Sequence, residues 1–114
     1  MAPAEGASSH MTHLSASKLT FAPKWDDMSD DERTAEQVAA VEIVTKCGGS
    51  IKTQHLLMTD GCLLSITEYP DETAALKSAL AIARRGAFVL QTQTAIPLDV
   101  AMSWQDEIQE VAGK

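Results

Sequence analysis

The sequence predicts an α+β fold in which a four-stranded antiparallel sheet carries two helices on one face. Three observations predict it. Strand-like and helix-like segments follow one another in the order strand, helix, strand, strand, helix, strand; the dipeptide Asp60-Gly61 joins the two middle strands; and glycines end both helical segments. A chain of 114 residues has room for one domain of this kind.

A short tail precedes the predicted domain. Residues 1–12 are small and polar without periodicity, which predicts a flexible segment. Within it, Ser9-His10-Met11 fits a cloning remnant as well as a native sequence, so we assign no role to that histidine. Residues 13–114 are predicted to form the single folded domain.

The first strand and the first helix are predicted from their patterns and their ends. Strand 13–22 places Leu19 and Phe21 on one face. Ser29 and Glu32 form a capping box, in which each side chain bonds a free amide at the start of a helix. That helix ends before two glycines, and its apolar stripe consists of Val38, Ala40, Val41, Val44 and Cys47.

Two strand-like runs, residues 50–58 and 62–68, are predicted to form a hairpin because Asp60-Gly61 favours a two-residue type I′ turn. That turn would set the pairs Leu57 with Leu64, His55 with Ile66, Met58 with Leu63 and Leu56 with Ser65. Both faces of the hairpin are partly apolar. We therefore expect helices to cover one face and a partner subunit to cover the other.

The rest of the chain predicts a second helix, a strand and a last helix. Pro70 interrupts the hairpin, Gly86 ends the second helix, and Pro97 ends a strand over residues 87–96. The last helix begins near Asp99 and must bury its apolar stripe on this subunit or on its partner. The stripe of the second helix consists of Thr73, Leu76, Ala79, Leu80 and Ala83, and that of the last helix of Val100, Trp104, Ile108 and Val111.

The predicted order βαββαβ, followed by a helix, is the ferredoxin-like arrangement. A domain this small buries only about two-thirds of the surface that its unfolded chain exposes, so a core shared with a second subunit would stabilise it. The small size therefore favours a homo-oligomer.

Charge and composition exclude several classes of partner. The formal net charge is −7, which is the wrong sign for binding nucleic acid or an anionic membrane. We find no secretory leader and no apolar run of membrane-spanning length. Two cysteines without metal spacing are typical of a reduced compartment, so we predict a cytoplasmic protein.

The predicted hairpin carries the only arrangement that resembles a nucleophilic site. Cys62, His55 and Asp60 are the parts of an activated thiol, but the predicted register separates the cysteine from the histidine along the shared face. Cys62 is then better interpreted as a small buried apolar side chain. His55 is a candidate general base in a pocket between helix and sheet, although a hydrogen-bonded structural histidine is the simpler interpretation.

The residues that could bind a ligand or a metal ion have simpler structural interpretations. Trp25 could line a ligand cavity or cover the core. His10 and His13 lack matching ligands, and the acidic cluster near residue 30 lacks the spacing of a calcium loop, so we predict no metal site. We find no phosphate loop or nucleophile elbow, and we predict no cofactor.

From Ala39 to about Val111 the chain resembles the GYD-domain family. The points of match are Gly48-Gly49, the hairpin, Glu68-x-Pro70-Asp71, the Ala-rich helix ending in Gly86-Ala87, and Thr92-x-Thr94. The resemblance implies a dimeric α/β-barrel, in which two ferredoxin-like subunits press their sheets together, and no established reaction. The family's Gly-x-Tyr-Asp motif is replaced here by Thr59-Asp60-Gly61-Cys62, so no site residue is carried over.

Two functional hypotheses follow. The first is a homodimeric ligand-binding or assembly module without catalysis, which fits the two apolar sheet faces and the lack of a catalytic arrangement. The second is a small cofactor-free enzyme, of the oxygenase or isomerase kind, with a pocket between sheet and helices. That enzyme would need His55 in the wall of a cavity of about 300 Å³ or more.

Overall fold

The computed structural model describes residues 12–113, so all of the predicted tail except Thr12 lies outside the described residues. The elements are β1 (His13–Phe21), a 3-10 helix (Pro23–Asp27), α1 (Asp30–Lys46), β2 (Ser50–Leu57), β3 (Cys62–Tyr69), α2 (Glu72–Arg85), β4 (Phe88–Thr94), α3 (Leu98–Met102) and α4 (Gln105–Ala112).

The four strands form one antiparallel sheet in the order β2-β3-β1-β4. β1 lies between β3 and β4, and α1 and α2 make the two crossovers of the βαββαβ chain. Both helices pack on the same face of the sheet, because the side chains buried beneath them come from one face of the strands. The prediction of an α+β, ferredoxin-like fold is confirmed.

The predicted helix ends are also present. The Ser29 hydroxyl accepts a hydrogen bond from the Glu32 amide at 3.1 Å, and the Glu32 carboxylate accepts one from the Ser29 amide at 2.8 Å. At the start of α2, the Asp71 carboxylate accepts from the Ala74 amide at 2.8 Å. Gly86 ends α2 with φ of 81°, a left-handed conformation that favours glycine.

The register predicted for the hairpin is wrong by two residues. Leu57 lies opposite Cys62 and His55 lies opposite Leu64, which leaves a four-residue turn over residues 58–61. The Gly61 amide closes that turn by donating to the Leu57 carbonyl at 2.8 Å. A shift of two residues keeps His55, Leu57, Leu64 and Ile66 on one face, but it moves Met58 out of the sheet and into the turn.

The stripe predicted for α2 is wrong at all of its positions except Ala79, which is half-buried. The helix buries Ala75, Ser78 and Ile82, whereas Leu76 and Leu80 are 53% and 70% exposed. The buried stripe consists mostly of small residues, which let the helix lie close to the sheet. Its serine is satisfied inside the core, because the Tyr69 hydroxyl donates to the Ser78 hydroxyl at 2.8 Å.

In α1 the predicted stripe is buried only in part. Val44 is buried, while Val38 and Val41 are about half exposed. α1 is held to α2 by a two-pronged ion pair between the Arg85 guanidinium and the Glu36 carboxylate, with distances of 2.9 and 3.0 Å. The hydrogen bond from Arg85 lowers the pKa of Glu36, so the pair stays ionised at mildly acidic pH.

The core lies between the helices and the sheet. Its buried members are Val44, Tyr69, Ala75, Ile82, Ala87 and Phe88. Three aromatic rings close one end, with ring centroids 4.5 Å apart for Phe21 and Trp25 and 5.4 Å apart for Trp25 and Phe88. The Arg33 guanidinium lies 5.7 Å from the centre of the Trp25 ring, on which it packs.

The chain after β4 differs from the single helix predicted there. It forms two short helices, α3 and α4, separated by Ser103 and Trp104. Every residue from 102 to 113 is exposed. The predicted apolar stripe is therefore not buried on its own subunit, and Ile108 and Val111 are 55% and 88% exposed. Within the described residues, no helix is long and apolar enough to cross a membrane.

Candidate ligand-binding cavity

A cavity of about 190 Å³ lies between the sheet and the two packed helices. α1 and α2 form its roof, and the helix-facing side of all four strands forms its floor. The lining residues are Ser15, Ser17, Leu19, Gln37, Ala40, Val41, Val44, Ile51, Gln54, Leu63, Ser65, Thr67, Tyr69, Ala75, Ala79, Ile82, Phe88 and Leu90.

The roof and the ends of the cavity are apolar. Val44 and Ile82 project from the two helices, and Phe88 and Leu90 project from β4. A cavity with such walls excludes water from most of a bound molecule, so apolar contact would supply most of the binding free energy.

The centre of the floor is a group of hydroxyls. Ser15 lies directly opposite Thr67, and Ser17 lies directly opposite Ser65, across the β1 and β3 pairing. Directly opposed residues have Cβ atoms about 4.5–5.5 Å apart, so the hydroxyls form a compact cluster. We call these four residues the hydroxyl floor.

Half of the hydroxyl floor is engaged by neighbouring side chains. The Ser17 and Thr92 hydroxyl oxygens are 2.9 Å apart, within hydrogen-bond distance. The Ser65 hydroxyl accepts from the Gln54 side-chain amide at 3.1 Å. These bonds fix the orientation of the Ser17 and Ser65 hydroxyls.

The other half, Ser15 and Thr67, has no side-chain hydrogen bond among the described residues. Both residues are nonetheless buried, at 2% and 6% exposed. No fully enclosed side-chain oxygen or nitrogen of the described residues lacks a partner. The free hydroxyl oxygens of Ser15 and Thr67 are therefore at the cavity surface, where a bound molecule can reach them.

Among the described residues, the cavity wall carries no ionised group. None of the lining residues is Asp, Glu, Lys, Arg or His. The one lining phenol, Tyr69, donates to Ser78, and burial raises its pKa. Tyr69 is therefore neutral at physiological pH, and the cavity presents only uncharged hydrogen-bonding groups.

The mouth of the cavity lies between α1 and β2. Gln37 and Val41 of α1 and Gln54 of β2 line the cavity and are exposed, whereas the other lining residues are buried or half-buried. A molecule that enters would pass between these three side chains and reach the hydroxyl floor beneath α1.

The sheet face opposite the helices is also partly apolar. Leu14 and Ala16 of β1 and Leu64 and Ile66 of β3 lie side by side on it and are half-buried. Two ion pairs flank this open face: Lys18 with Asp60 at 3.6 Å, and Lys52 with Glu68 at 3.3 Å. Each pair joins opposite charges, so this face is neutral although the chain carries a net charge of −7.

His55, Cys62 and Asp60, the three parts of the predicted activated thiol, lie on the open face or in the turn beside it. His55 is exposed on it, opposite Leu64, and Cys62 is buried opposite Leu57. No hydrogen bond joins His55 to Cys62 among the described residues, and Asp60 pairs with Lys18. The structure thus does not assemble these three side chains into an activated thiol, and none of them lines the cavity.

The remaining candidates lie elsewhere. Trp25 packs on the core and does not line the cavity. His13 begins β1, and His10 lies outside the described residues. In residues 12–113 no group of three or more His, Cys, Asp or Glu residues is placed to hold a metal ion.

Sequence patterns did not reveal the hydroxyl floor. Ser15 and Ser17 weaken the strand signal of β1, and Ser65 and Thr67 look like the polar half of an alternating strand. A usable signal was present, because Ser-x-Ser and Ser-x-Thr occur in two strands that the ferredoxin-like topology makes neighbours. Only the register places them on the helix-facing side.

One known protein family matches most of the chain. The family model for the GYD domain matches residues 20–104, from the end of β1 to the segment between α3 and α4. No curated protein matches the chain.

Proposed function

The chain belongs to the GYD-domain family, and from that premise we propose that it is a homodimeric module that binds a small molecule without catalysing a reaction. The cavity between the sheet and the helices carries the proposal. It opens to solvent between α1 and β2, and its floor offers two hydroxyls without a side-chain partner among the described residues. Because these two hydroxyls lie at the cavity surface, a bound molecule can form hydrogen bonds with both of them.

The lining chemistry supports binding rather than catalysis. A serine or threonine hydroxyl becomes a nucleophile only beside a general base, and none of the lining residues can act as one near neutral pH. The enzyme hypothesis placed His55 in this wall, but His55 lies on the opposite face of the sheet. Positioning of an uncharged ligand is what this cavity supports best.

A second copy of the chain is the partner that we propose for the open face. Its centre is apolar, and the charges beside that centre form two ion pairs that cancel. Two copies can therefore approach through this face without the repulsion that their net charge would cause elsewhere. The exposed apolar stripe of α3 and α4 adds surface that a partner could cover. Predicted cytoplasmic location remains part of this proposal.

We expect native mass spectrometry to give the mass of two chains. Ala16→Arg and Ile66→Asp are made as two separate single variants, and each places one charge at the centre of the open face. Each should convert the dimer to monomer, because a buried charge without a partner opposes association. Met58→Asp is the matched control, since Met58 lies in the turn and is 83% exposed. Circular dichroism confirms that each variant is folded. A folded Ala16→Arg variant that remains dimeric would exclude this interface.

Binding in the cavity is tested by methyl NMR with toluene as the probe. We expect toluene to shift the methyl signals of Val44, Ile82 and Leu90, which line the cavity, and not those of Leu64 on the open face. Val41→Trp should weaken this effect, because Val41 lines the mouth and is half exposed, so a larger side chain there narrows entry without crowding the core. Shifts confined to the open face would contradict the proposed site.

A further inference from the structure

The free hydroxyls of Ser15 and Thr67 define where a polar group of the ligand must lie. They are direct neighbours across two central strands, and both reach the cavity from its floor. A hydroxyl both donates and accepts, so the pair can donate two hydrogen bonds to one carbonyl oxygen, or donate one to a ligand hydroxyl and accept one from it. Ser17 and Ser65 each already share one hydrogen bond with a neighbouring side chain, whereas Ser15 and Thr67 have none among the described residues.

The rest of the lining limits the charge of the ligand. No lining side chain is ionised, so a bound carboxylate, phosphate or ammonium group would lose its hydration without gaining a counter-charge. Burying an ionised group without a partner is far more costly than burying a hydroxyl or a carbonyl that is hydrogen-bonded. The cavity therefore selects against anions and cations alike.

The volume limits the size of the ligand. The cavity measures about 190 Å³. A protein cavity of ~150 Å³ lined by apolar side chains binds benzene, so this space accepts a single ring with one short substituent. Apolar walls around most of the space favour a molecule whose only polar group points to the floor.

We infer, on the basis of the proposed binding function, that the ligand is an uncharged single-ring or similarly compact molecule with one hydroxyl or carbonyl group. Ser15 and Thr67 hold that group, and the apolar walls hold the remainder. The two hydroxyls thus favour neutral polar compounds over hydrocarbons of the same size, and the uncharged wall favours them over ions.

A panel of compounds with the same ring separates hydrocarbons, neutral polar compounds, anions and cations. The compounds are toluene, benzyl alcohol, benzamide, benzoate and benzylamine. Each is titrated into the protein, and binding is followed by methyl NMR. We expect benzyl alcohol and benzamide to bind about tenfold more tightly than toluene, since each can form hydrogen bonds with Ser15 and Thr67 that toluene cannot form. Benzoate and benzylamine should bind at least about tenfold more weakly than toluene.

Variants assign the effect to the two hydroxyls. Ser15→Ala and Thr67→Val should each reduce the affinity for benzyl alcohol, and together lower it about tenfold to that of toluene, while toluene affinity stays unchanged. Thr20→Val is the matched control, because Thr20 is an exposed residue of β1 on the opposite face of the sheet and does not line the cavity. If the double variant does not fold, the wild-type panel still tests the selectivity and Thr67→Val alone tests the assignment.

The outcomes separate this inference from the function on which it rests. Equal affinities for toluene and benzyl alcohol, or tight binding of benzoate, would overturn the inferred ligand class while leaving the cavity a binding site. If no compound shifts the cavity methyls, toluene included, the proposed binding function itself is wrong.

Discussion

Replacing Phe88 by alanine is expected to lower the free energy of unfolding by about 3–5 kcal/mol, the largest stability effect of any single change proposed for this chain. Phe88 is 5% exposed, its ring centroid lies 5.9 Å from that of Phe21 and 5.4 Å from that of Trp25, and it also lines the cavity. Removing the ring enlarges an existing cavity, which the neighbouring side chains cannot refill. Since a domain is stable by about 5–15 kcal/mol, much of the total is lost.

Chemical denaturation measures this loss, with Val89→Ala as the matched control. Val89 is the next residue of the same strand, points to the opposite face and is 54% exposed, so its truncation should cost well below 1 kcal/mol. Both variants are compared with the wild type at one protein concentration, because association would add to stability. Equal losses for the two variants would mean that the aromatic cluster does not hold the core.

Gly49→Ala is expected to destabilise the domain by about 1–3 kcal/mol through crowding. A Cβ atom at Gly49 would lie 2.6 Å from Cε1 of Tyr69 and 2.7 Å from Cγ1 of Val44, both well inside van der Waals contact. Neither neighbour can give way easily, since Val44 is buried and the Tyr69 hydroxyl is bonded to Ser78. Thermal or denaturant unfolding measures the loss.

Gly61→Ala separates crowding from backbone strain. Gly61 has φ of 65°, so alanine there is strained, but nothing lies within 4 Å of its added Cβ. Strain alone should cost about 1 kcal/mol and leave the tyrosine environment intact. Only Gly49→Ala should change the NMR signals of the Tyr69 ring. A Gly49→Ala protein with unchanged Tyr69 signals would show that the chain relaxes around the methyl group.

The order of the elements could be predicted because it depends on strong local signals. The Ser29 capping box, the Gly86 helix end and Pro97 after the last strand act within a few residues of themselves, and each functions as predicted. The ferredoxin-like topology follows from that order, since the connections leave few alternatives.

The register and the buried helix face could not be predicted because they depend on distant contacts. Asp60-Gly61 favours a two-residue turn locally, but a four-residue turn forms, and β2 then contains a bulge between Ile51 and Thr53. The bulge brings Ile51 to the helix-facing side, opposite Thr67, where it packs on the core. In α2, hydrophobicity alone favours Leu80 over Ser78, yet the hydrogen bond from Tyr69 makes the serine the better buried residue.

The cavity was beyond sequence reasoning for a different reason. Empty volume depends on side chains that stop short of each other, and no pattern of residue types records that distance. Small residues such as Ala40, Ala75 and Ala79 in the roof leave the space, and Ser15 and Thr67 in the floor do not fill it. The same serines that weaken the apolar pattern of β1 in the sequence line the cavity in the folded domain.

The bulge in β2 bears on how fast the cavity can exchange its contents. β2 is an outer strand, paired on one side only, and its ladder is interrupted between Ile51 and Thr53, close to the mouth. Local opening of such a strand requires far less free energy than unfolding of the whole domain. Entry and exit of the proposed ligand would then depend on fluctuations of this one edge strand, while the central strands that carry Ser15 and Thr67 stay fixed.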